Sequence, residues 1–398
     1  MSIEWKIPMN SFKVPRIRFK RFDSVWVENR IADIVKISAG GDVDKERLKE
    51  SGKYPVIANA LTKKGIMGFY DDYKVKAPAV TVTGRGDVGY AVARHENFTP
   101  VVRLLTLQSD NIDVDYLENQ INSMKILNES TGVPQLTAPQ LGNYKVYHPE
   151  IDEQSAIGSL FRTLEELLVS YKDNLTNYQS LKATMFSKMF PKAGQTVPEI
   201  RLDGFEGEWK VQSLKELARF SKGNGYTKSD LVNSGNEIIL YGQLYTNYQT
   251  VISMVNTFVL ETREKSVISK GGEVVVPASG ESAEDISRAS VIEKSGVIIG
   301  GDLNIIYPDE NKVDSIFLAL TISNGSQQKE LIKRAQGKSV VHLRNNDLEK
   351  VVLHYPSMEE QQAIGACFSN LDNLINSHQE KISQLEILKK KLLQDMFI

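Results

Sequence analysis

The chain has a single cysteine in 398 residues, Cys367, so no disulfide can close within it and no multi-thiolate metal site can form. No apolar run approaches the ~20 residues that span a bilayer. The opening Met1-Ser-Ile-Glu-Trp-Lys-Ile-Pro8 has no apolar leader core. A cytoplasmic protein without membrane association is expected. No Pro-Pro doublet occurs, which removes the Asn/Asp-Pro-Pro-aromatic signature of amino-methyltransferases. Gly337-Lys338-Ser339 looks like the end of a phosphate-binding loop, but the glycine that pattern needs at 332 is Ile332. Gly84-Arg85-Gly86-Asp87-Val88-Gly89 has glycines without dinucleotide-binding spacing. The five histidines (His95, His148, His342, His354 and His378) are scattered, and no Cys/His set has zinc spacing. Neither charge sign dominates, with 48 Lys and Arg against 50 Asp and Glu. Neither a nucleophile, nor a metal cluster, nor a cofactor loop is legible, so catalysis by this chain is not expected.

What is present is a duplication. Residues Pro149 to Phe190 return at Pro356 to Phe397, offset by 207 positions without a gap, and 14 of the 42 aligned positions are identical. A shorter echo precedes each copy. Val14-Pro15-x-Ile17-Arg18-x3-Phe22-x3-Trp26 returns as Val197-Pro198-x-Ile200-Arg201-x3-Phe205-x3-Trp209. The chain is a head-to-tail repeat of a unit about half its length, and a protein of two similar halves suits a ligand in two parts.

The repeated segments read as long helices. Asp152 to Phe190 contains no proline and one glycine, Gly158. Large residues recur at alternating spacings of three and four, the a/d seam of a coiled coil: Phe161, Leu164, Leu168, Tyr171, Leu175, Tyr178, Met185 and Met189. The second copy repeats the places at Phe368, Leu371, Ile375, His378, Ile382, Leu385, Leu392 and Met396, and both copies put lysine at one seam position, Lys182 and Lys389. The lysine run 389–391 otherwise reads as the wet side of a helix, and Cys367, opposite Leu160, as a packing residue. Each segment would be about 58 Å long at 1.5 Å per residue. Antiparallel pairing of the two suits the alternation of globular segment and helix; parallel pairing, or docking of each helix on its own globular segment, remains open.

The intervening segments read as mixed α/β. Strands are predicted at Ala79–Thr83, Val101–Leu107, Glu237–Tyr241, Val251–Val255, Glu273–Pro277 and Gly296–Ile299. Between Trp26 and Pro149 and between Trp209 and Pro356 the halves diverge, so the frame is kept while the interiors differ.

The Val-Pro-x-Ile-Arg-x3-Phe-x3-Trp openings and the Glu-Gln-x-Ala-Ile-Gly elements at 153–158 and 360–365 carry a resemblance covering nearly the whole chain. So does Gln336-Gly-Lys-Ser-Val-Val-His-Leu343, with Gly132-Val-Pro-Gln-Leu136 as a shorter counterpart. The sequence resembles the specificity subunit (S, HsdS) of type I restriction-modification systems. The resemblance implies an α+β architecture with internal pseudo-two-fold duplication, two mixed α/β target recognition domains separated by two long antiparallel coiled-coil helices. Its segments would be an N-terminal extension (1–13), recognition domain one (14–148), a central helical spacer (149–193), recognition domain two (194–355) and a C-terminal helical spacer (356–398). It further implies that each domain reads half of a bipartite, asymmetric double-stranded DNA site. The coiled coil would set the spacer and dock two modification (methyltransferase) subunits. S-adenosylmethionine, ATP and Mg would belong to those partners and to restriction/translocase subunits, and none to this chain.

Residues suited to reading base edges or phosphates are Lys63, Lys64, Thr83 and Arg85 in the first domain. In the second they are Lys222, Tyr226, Tyr241, Gln243, Tyr245, Ser279, Lys338 and His342. Each has a plainer reading: Lys63-Lys64 as a solvated turn, Tyr241 and Tyr245 as sheet packing. The basic run Lys13 to Arg21 reads equally as a phosphate contact or an exposed linker. Two rival functions stand beside DNA reading: a coiled-coil scaffold with two lobes and no nucleic acid, and a fused two-copy enzyme, against which the missing acid and metal clusters count.

Overall fold

A computed structural model describes residues 14–126, 133–192, 194–246, 248–337 and 340–397, with the backbone of Trp5–Lys6. The expected N-terminal extension lies outside these residues apart from that dipeptide, as do Gly132, Lys338 and Ser339. Two compact units are present, one of Met1–Asp173 with Gln379–Ile398, the other Asn174–His378. Each unit holds one globular segment and half of each long helix.

In the first unit a four-stranded antiparallel sheet runs in the order Lys36–Ala39, Leu104–Gln108, Ala79–Thr83, Ala91–Arg94. The strand Ala79–Thr83 is buried at all five positions, which a near-continuous β-branched run allows. The helix Val114–Ser123 packs on this sheet, capped by Asp113, whose carboxylate accepts from Tyr116 N at 2.9 Å. A three-stranded sheet of Ile66–Tyr70, Tyr54–Ile57 and Thr99–Pro100 lies beside it, and Val27–Arg30 pairs with Lys145–His148.

The second unit repeats this plan with additions. Its main sheet orders Ala218–Lys222, Leu303–Pro308, Glu273–Pro277, Ser290–Ile292 and Val251–Ile252, and Lys210–Ser213 pairs with Val352–Tyr355. The helix Ser315–Ile322 is capped by Asp314 as its counterpart is by Asp113. A five-stranded sheet, from Leu231–Val232 to Val267–Ile268, answers to the three-stranded sheet with two strands added: Asn236–Ile239 pairs antiparallel with Phe258–Val259 and parallel with Ile298–Ile299, as Tyr54–Ile57 does with Ile66–Tyr70 and Thr99–Pro100. The predicted strands Ala79–Thr83 and Glu273–Pro277 form over those residues, while the other four form shorter or shifted, as Leu104–Gln108, Asn236–Ile239, Val251–Ile252 and Ile298–Ile299.

The long helices span Ile151–Met189 and Met358–Met396. In the first unit the beginning of one meets the end of the other: Lys172 Nζ lies 2.7 Å from Glu386 Oε1, Lys389 pairs with Glu165, and Phe161 packs on Phe397 with centroids 5.6 Å apart. In the second unit the halves meet in the same antiparallel sense, with Lys182 paired to Asp372, Tyr178 edge-on to His378 and Phe186 stacked on Phe368 at 4.1 Å. Phe161, Leu164, Leu168, Phe368, Leu371 and Ile375 are buried, whereas Leu175 and Ile382 are half-buried. Both modes of packing therefore occur: the helices pair with each other, and their opening turns also dock on the globular segments. Lys389 is not simply on a wet face, because its ion pair to Glu165 is the repeat equivalent of Lys182 to Asp372.

The repeated motifs have one structural meaning in both units. Arg18 donates from Nε and Nη2 to the two oxygens of Glu153, both at 2.6 Å, and Arg201 does the same to Glu360 at 2.7 and 2.6 Å. Gln154 and Gln361 accept from the N–H groups of Asp113 and Asp314 at 3.0 and 2.9 Å. The backbone N–H of Ile17 donates to Asp395 O and that of Ile200 to Lys188 O, each at 2.9 Å. Trp26, Tyr116, Phe161 and Phe397 form one aromatic cluster, and Trp209, Phe317, Phe368 and Phe190 form its equivalent. Of the basic run ending at Arg21, Arg18 is buried on Glu153, whereas Arg16, Lys20 and Arg21 are exposed, Arg16 facing Asp395 and Arg21 lying over the Phe22 ring.

Arg18 and Glu153 are almost fully buried, so Arg18→Met, which strands a buried carboxylate, is expected to cost about 3–5 kcal/mol in chemical denaturation, much of it recovered by adding Glu153→Leu. The two repeated helix glycines should respond differently to alanine. At Gly158 a methyl would collide with the capping Asp113 and Tyr116 N, whereas at Gly365 its nearest neighbour is Ile316 at 3.4 Å. Gly158→Ala is expected to destabilise by about 1–3 kcal/mol and Gly365→Ala to be neutral or mildly stabilising, measured by the same titration.

Candidate nucleic-acid interface

In the first unit the strand Ala79–Thr83 runs out into Gly84-Arg85-Gly86, and the backbone of this loop is held from two sides. Leu136 N donates to Gly84 O at 2.9 Å and Gly86 N to Pro134 O at 3.0 Å, so that Arg85 pairs with Gln135 in an isolated bridge. From the other side the Asn59 carboxamide accepts from Gly84 N at 2.7 Å and Arg85 N at 3.2 Å, and donates to Arg85 O at 2.7 Å. The Arg85 side chain is exposed. Asn59 leads into the turn carrying Lys63 and Lys64, both exposed and both left-handed at φ 49° and 50°. Arg94 Nη2 donates to Lys64 O at 2.7 Å, holding that turn to the sheet. Three of the four candidates thus share one rigid edge.

Thr83 does not belong with them. It is buried, its hydroxyl donates to Asp87 O and accepts from Tyr90 N at 3.0 Å, and it shapes the loop from inside.

The same edge exists in the second unit. Glu273–Pro277 runs out into Ala278-Ser279-Gly280; Leu343 N donates to Ala278 O at 2.9 Å, and Ser279 pairs with His342. Leu343 is the repeat equivalent of Leu136, and the residues before each lie against the loop that leaves the sheet, Gln135 through an isolated bridge to Arg85 and Val341–His342 as a short strand on Ser279–Gly280. His342 is exposed, whereas Ser279 is buried and serves the pairing rather than the surface. Lys222 is exposed at the end of Ala218–Lys222, opposite Asn304 on the intervening strand Leu303–Pro308. Lys338 lies outside the described residues.

Two other candidates are structural. Tyr226 is buried, with its hydroxyl bonded to Ser266 Oγ at 2.6 Å and accepting from Arg263 N at 2.8 Å under the Arg263 guanidinium. Gln243 uses both ends of its amide within the protein, accepting from Leu240 N at 2.8 Å and donating to Thr257 Oγ1 at 2.6 Å. Tyr241 and Tyr245 are half-buried with rings 6.2 Å apart, Tyr241 packed on a core that includes Ile239 and Leu244, which is the plainer reading of the pair. Asn59, the residue that organises the first edge, carries no sequence signal: its role follows from the fold bringing residue 59 beside residue 85.

Beside this edge sits one strongly perturbed carboxyl. Glu118, on the helix Val114–Ser123, is pushed up to about 7 by burial first and then by the nearby Asp115 carboxylate; Lys64, the backbone N–H of Ala93 and Lys389 pull it down less strongly. Asp115 itself is bonded to His95 at 2.9 Å and Arg162 at 3.3 Å. Among the described residues no group of three or more His, Cys, Asp or Glu is placed to hold a metal ion, and no helix is long and apolar enough to cross a membrane.

A folded-state pKa above the unfolded one means Glu118 holds its proton in the native state while the unfolded chain releases it. No penalty exists below about pH 4.5; it accumulates through the interval and is complete above about pH 7, where it amounts to at most about 3 kcal/mol. Glu118→Gln is therefore expected to raise the melting temperature at pH 8 by clearly more than at pH 5, read by thermal melts in matched ionic strength.

The family described as type I restriction modification DNA specificity domain matches twice, at residues 23–177 and 206–387. The MjaVIII type I restriction enzyme specificity subunit of Methanocaldococcus jannaschii is 22% identical over 282 residues, 68% of this chain and 65% of that relative, just under two thirds of its length. The MjaX specificity subunit of the same organism is 19% identical over 407 residues, covering 92% of each. The crystal structure of a type I restriction-modification S subunit from M. genitalium superposes with a TM-score of 0.68 over 97% of this chain and 99% of that one, at 15% identity, a likeness of fold. Two matches that together take in most of the chain place it in the type I restriction modification DNA specificity domain family, with the domain present twice.

Proposed function

We propose that this chain is the non-catalytic, sequence-reading subunit of a type I restriction-modification complex, each globular domain reading one half of a bipartite, asymmetric double-stranded DNA site. The observation that carries this is the contrast between frame and edge. The bonds Leu136 N to Gly84 O and Leu343 N to Ala278 O lay a chain segment against the same loop in both units, yet the exposed side chains there differ: Arg85 and Gln135 in one, His342 in the other. A rigid edge with interchangeable donors and acceptors is what direct readout of base edges asks for. Lys63, Lys64 and Lys222 alongside supply sequence-independent attraction to phosphates.

The long helices then serve two ends. Their repeated seam and ion pairs give two like surfaces for two copies of one modification (methyltransferase) subunit, and their length sets the spacer between half-sites. Methyl transfer, with its S-adenosylmethionine, and ATP-driven translocation and cleavage would lie on partner subunits.

Methylome mapping of strains with and without the gene tests the central reading: a bipartite motif is expected to lose its modification when the gene is deleted, and an unchanged methylome would refute it. One heptad inserted after Leu175 and one at the equivalent Ile382 preserve the antiparallel seam and add about 10 Å of helix. The modified motif is expected to keep both half-sites and gain about three base pairs of spacer, taking 3.4 Å per step; altered half-sites with an unaltered spacer would contradict the division of labour.

A further inference from the structure

Among the described residues, five other than glycine have a left-handed backbone, and two of these occupy one place in the two halves. Arg103, at φ 75°, stands one position before the Leu104–Thr83 strand pair, and its carbonyl lies against Gly84 so closely that a Cβ there would clash. Asp302, at φ 56°, stands one position before the Leu303–Pro277 pair, and its carbonyl accepts from Ala278 N at 2.8 Å. A glycine underlies each turn: Gly40 N donates to Leu104 O and Gly223 N to Leu303 O, both at 2.9 Å. The turns are one feature built twice, each flush against its reading loop. Both side chains are exposed, and neither has a hydrogen-bond or ion-pair partner among the described residues.

Left-handed backbone is the region glycine enters freely and arginine does not, while aspartate enters it more readily than most. Gly300 and Gly301 sit directly before Asp302, yet the left-handed position itself is not a glycine in either half. Residues held in such conformations gather where a side chain is used. The two side chains are chemical opposites: a guanidinium only donates, a carboxylate only accepts. In the major groove guanine offers the acceptors O6 and N7, and cytosine offers its N4 amino donor.

We propose that Arg103 and Asp302 are specificity-determining residues, Arg103 donating to a guanine edge in one half-site and Asp302 accepting from a cytosine amino group in the other. The proposal rests on the DNA reading set out above. An exposed carboxylate near phosphates is repelled unless a donor meets it, so Asp302 would discriminate by excluding sequences that lack one, whereas Arg103 adds attraction beside Arg85.

The test places Arg103→Gly and Asp302→Gly separately in the full-length chromosomal gene of its own host, reads the methylome by modified-base sequencing, and melts the purified variants. Absence of any gene-dependent bipartite motif in the unaltered strain would sink DNA reading itself, and this inference with it. Given such a motif, Arg103→Gly is expected to relax one base of one half-site, with modification of sites mismatched there rising roughly tenfold and the other half unchanged. Asp302→Gly is expected to do the same in the opposite half. Because glycine adopts the same backbone freely, both variants should melt at or above the wild-type temperature. Loss of modification at every site with an undiminished melting temperature also supports a contact to DNA. A variant that modifies only the original motif, to the original extent, overturns the proposal while DNA reading stands; a lowered melting temperature overturns it too, by showing the side chain to be structural.

Discussion

The structure depends on one ion pair made twice, each time around a buried glutamate. Arg18 with Glu153, and Arg201 with Glu360, join the segment that opens each half to the first turn of the long helix that closes it. A carboxylate in such a site is tolerated only with a bidentate partner in place. The neighbouring glutamine then has a fixed position from which to bond Asp113 or Asp314, the residue capping the helix beneath the sheet. The glycine four residues further on keeps the long helix close to that cap, tightly at Gly158 and with some slack at Gly365. The Glu-Gln-x-Ala-Ile-Gly pattern is thus a joint between helix and sheet, and its meaning is mechanical before it is functional.

The joint also explains why the repeats complete one another. The aromatic cluster beside Arg18 and Glu153 is closed by Phe397, from the end of the second repeat, and the cluster beside Arg201 and Glu360 by Phe190, from the end of the first. Neither half of the sequence fills its own core. Within each unit the apolar burial of a helix end, of order 1.5–3 kcal/mol per large side chain, far exceeds what the exposed Lys172–Glu386 pair contributes. Aromatic packing at the ends, rather than charge along the seam, holds the antiparallel pairing in each unit, which accords with Leu175 and Ile382 being only half-buried.

This division marks what a single sequence could reveal. The helices, their seam and the motif frame were legible because each depends on a period or a repeated pattern: Phe161 and Phe368, for example, stand 207 positions apart and are buried alike. The two strands found over their predicted residues, Ala79–Thr83 and Glu273–Pro277, are each buried at all five positions, where β-branched runs speak most clearly. The reading edge was legible only in part. Arg85 and His342 could be singled out by residue type and loop context, but type alone could not separate an exposed donor from an interior one, so Thr83, Tyr226 and Gln243 were drawn in by chemistry that the fold spends on its own backbone. Asn59, Arg103 and Asp302 were invisible for the opposite reason: their roles come from register across strands distant in sequence.

A last comparison shows how far contact and side chain are separable in this chain. The Ile17 N–H to Asp395 carbonyl bond and the Ile200 N–H to Lys188 carbonyl bond are equivalents of equal length. The side chains flanking them have exchanged sign, Arg16 with Asp395 in one unit and Glu199 with Lys188 in the other. Exposed pairs of this kind contribute about 0–1 kcal/mol, too little to dictate the fold, so the backbone contact is kept while the charges are free to trade places. The reading edges obey the same rule with a different consequence. There, too, the backbone pairing persists and the side chains differ, but at those loops Arg85, Gln135 and His342 are exposed. A scaffold whose bonds are indifferent to its exposed side chains can change those side chains without changing how it folds, and that freedom suits the proposed reading of two unlike half-sites.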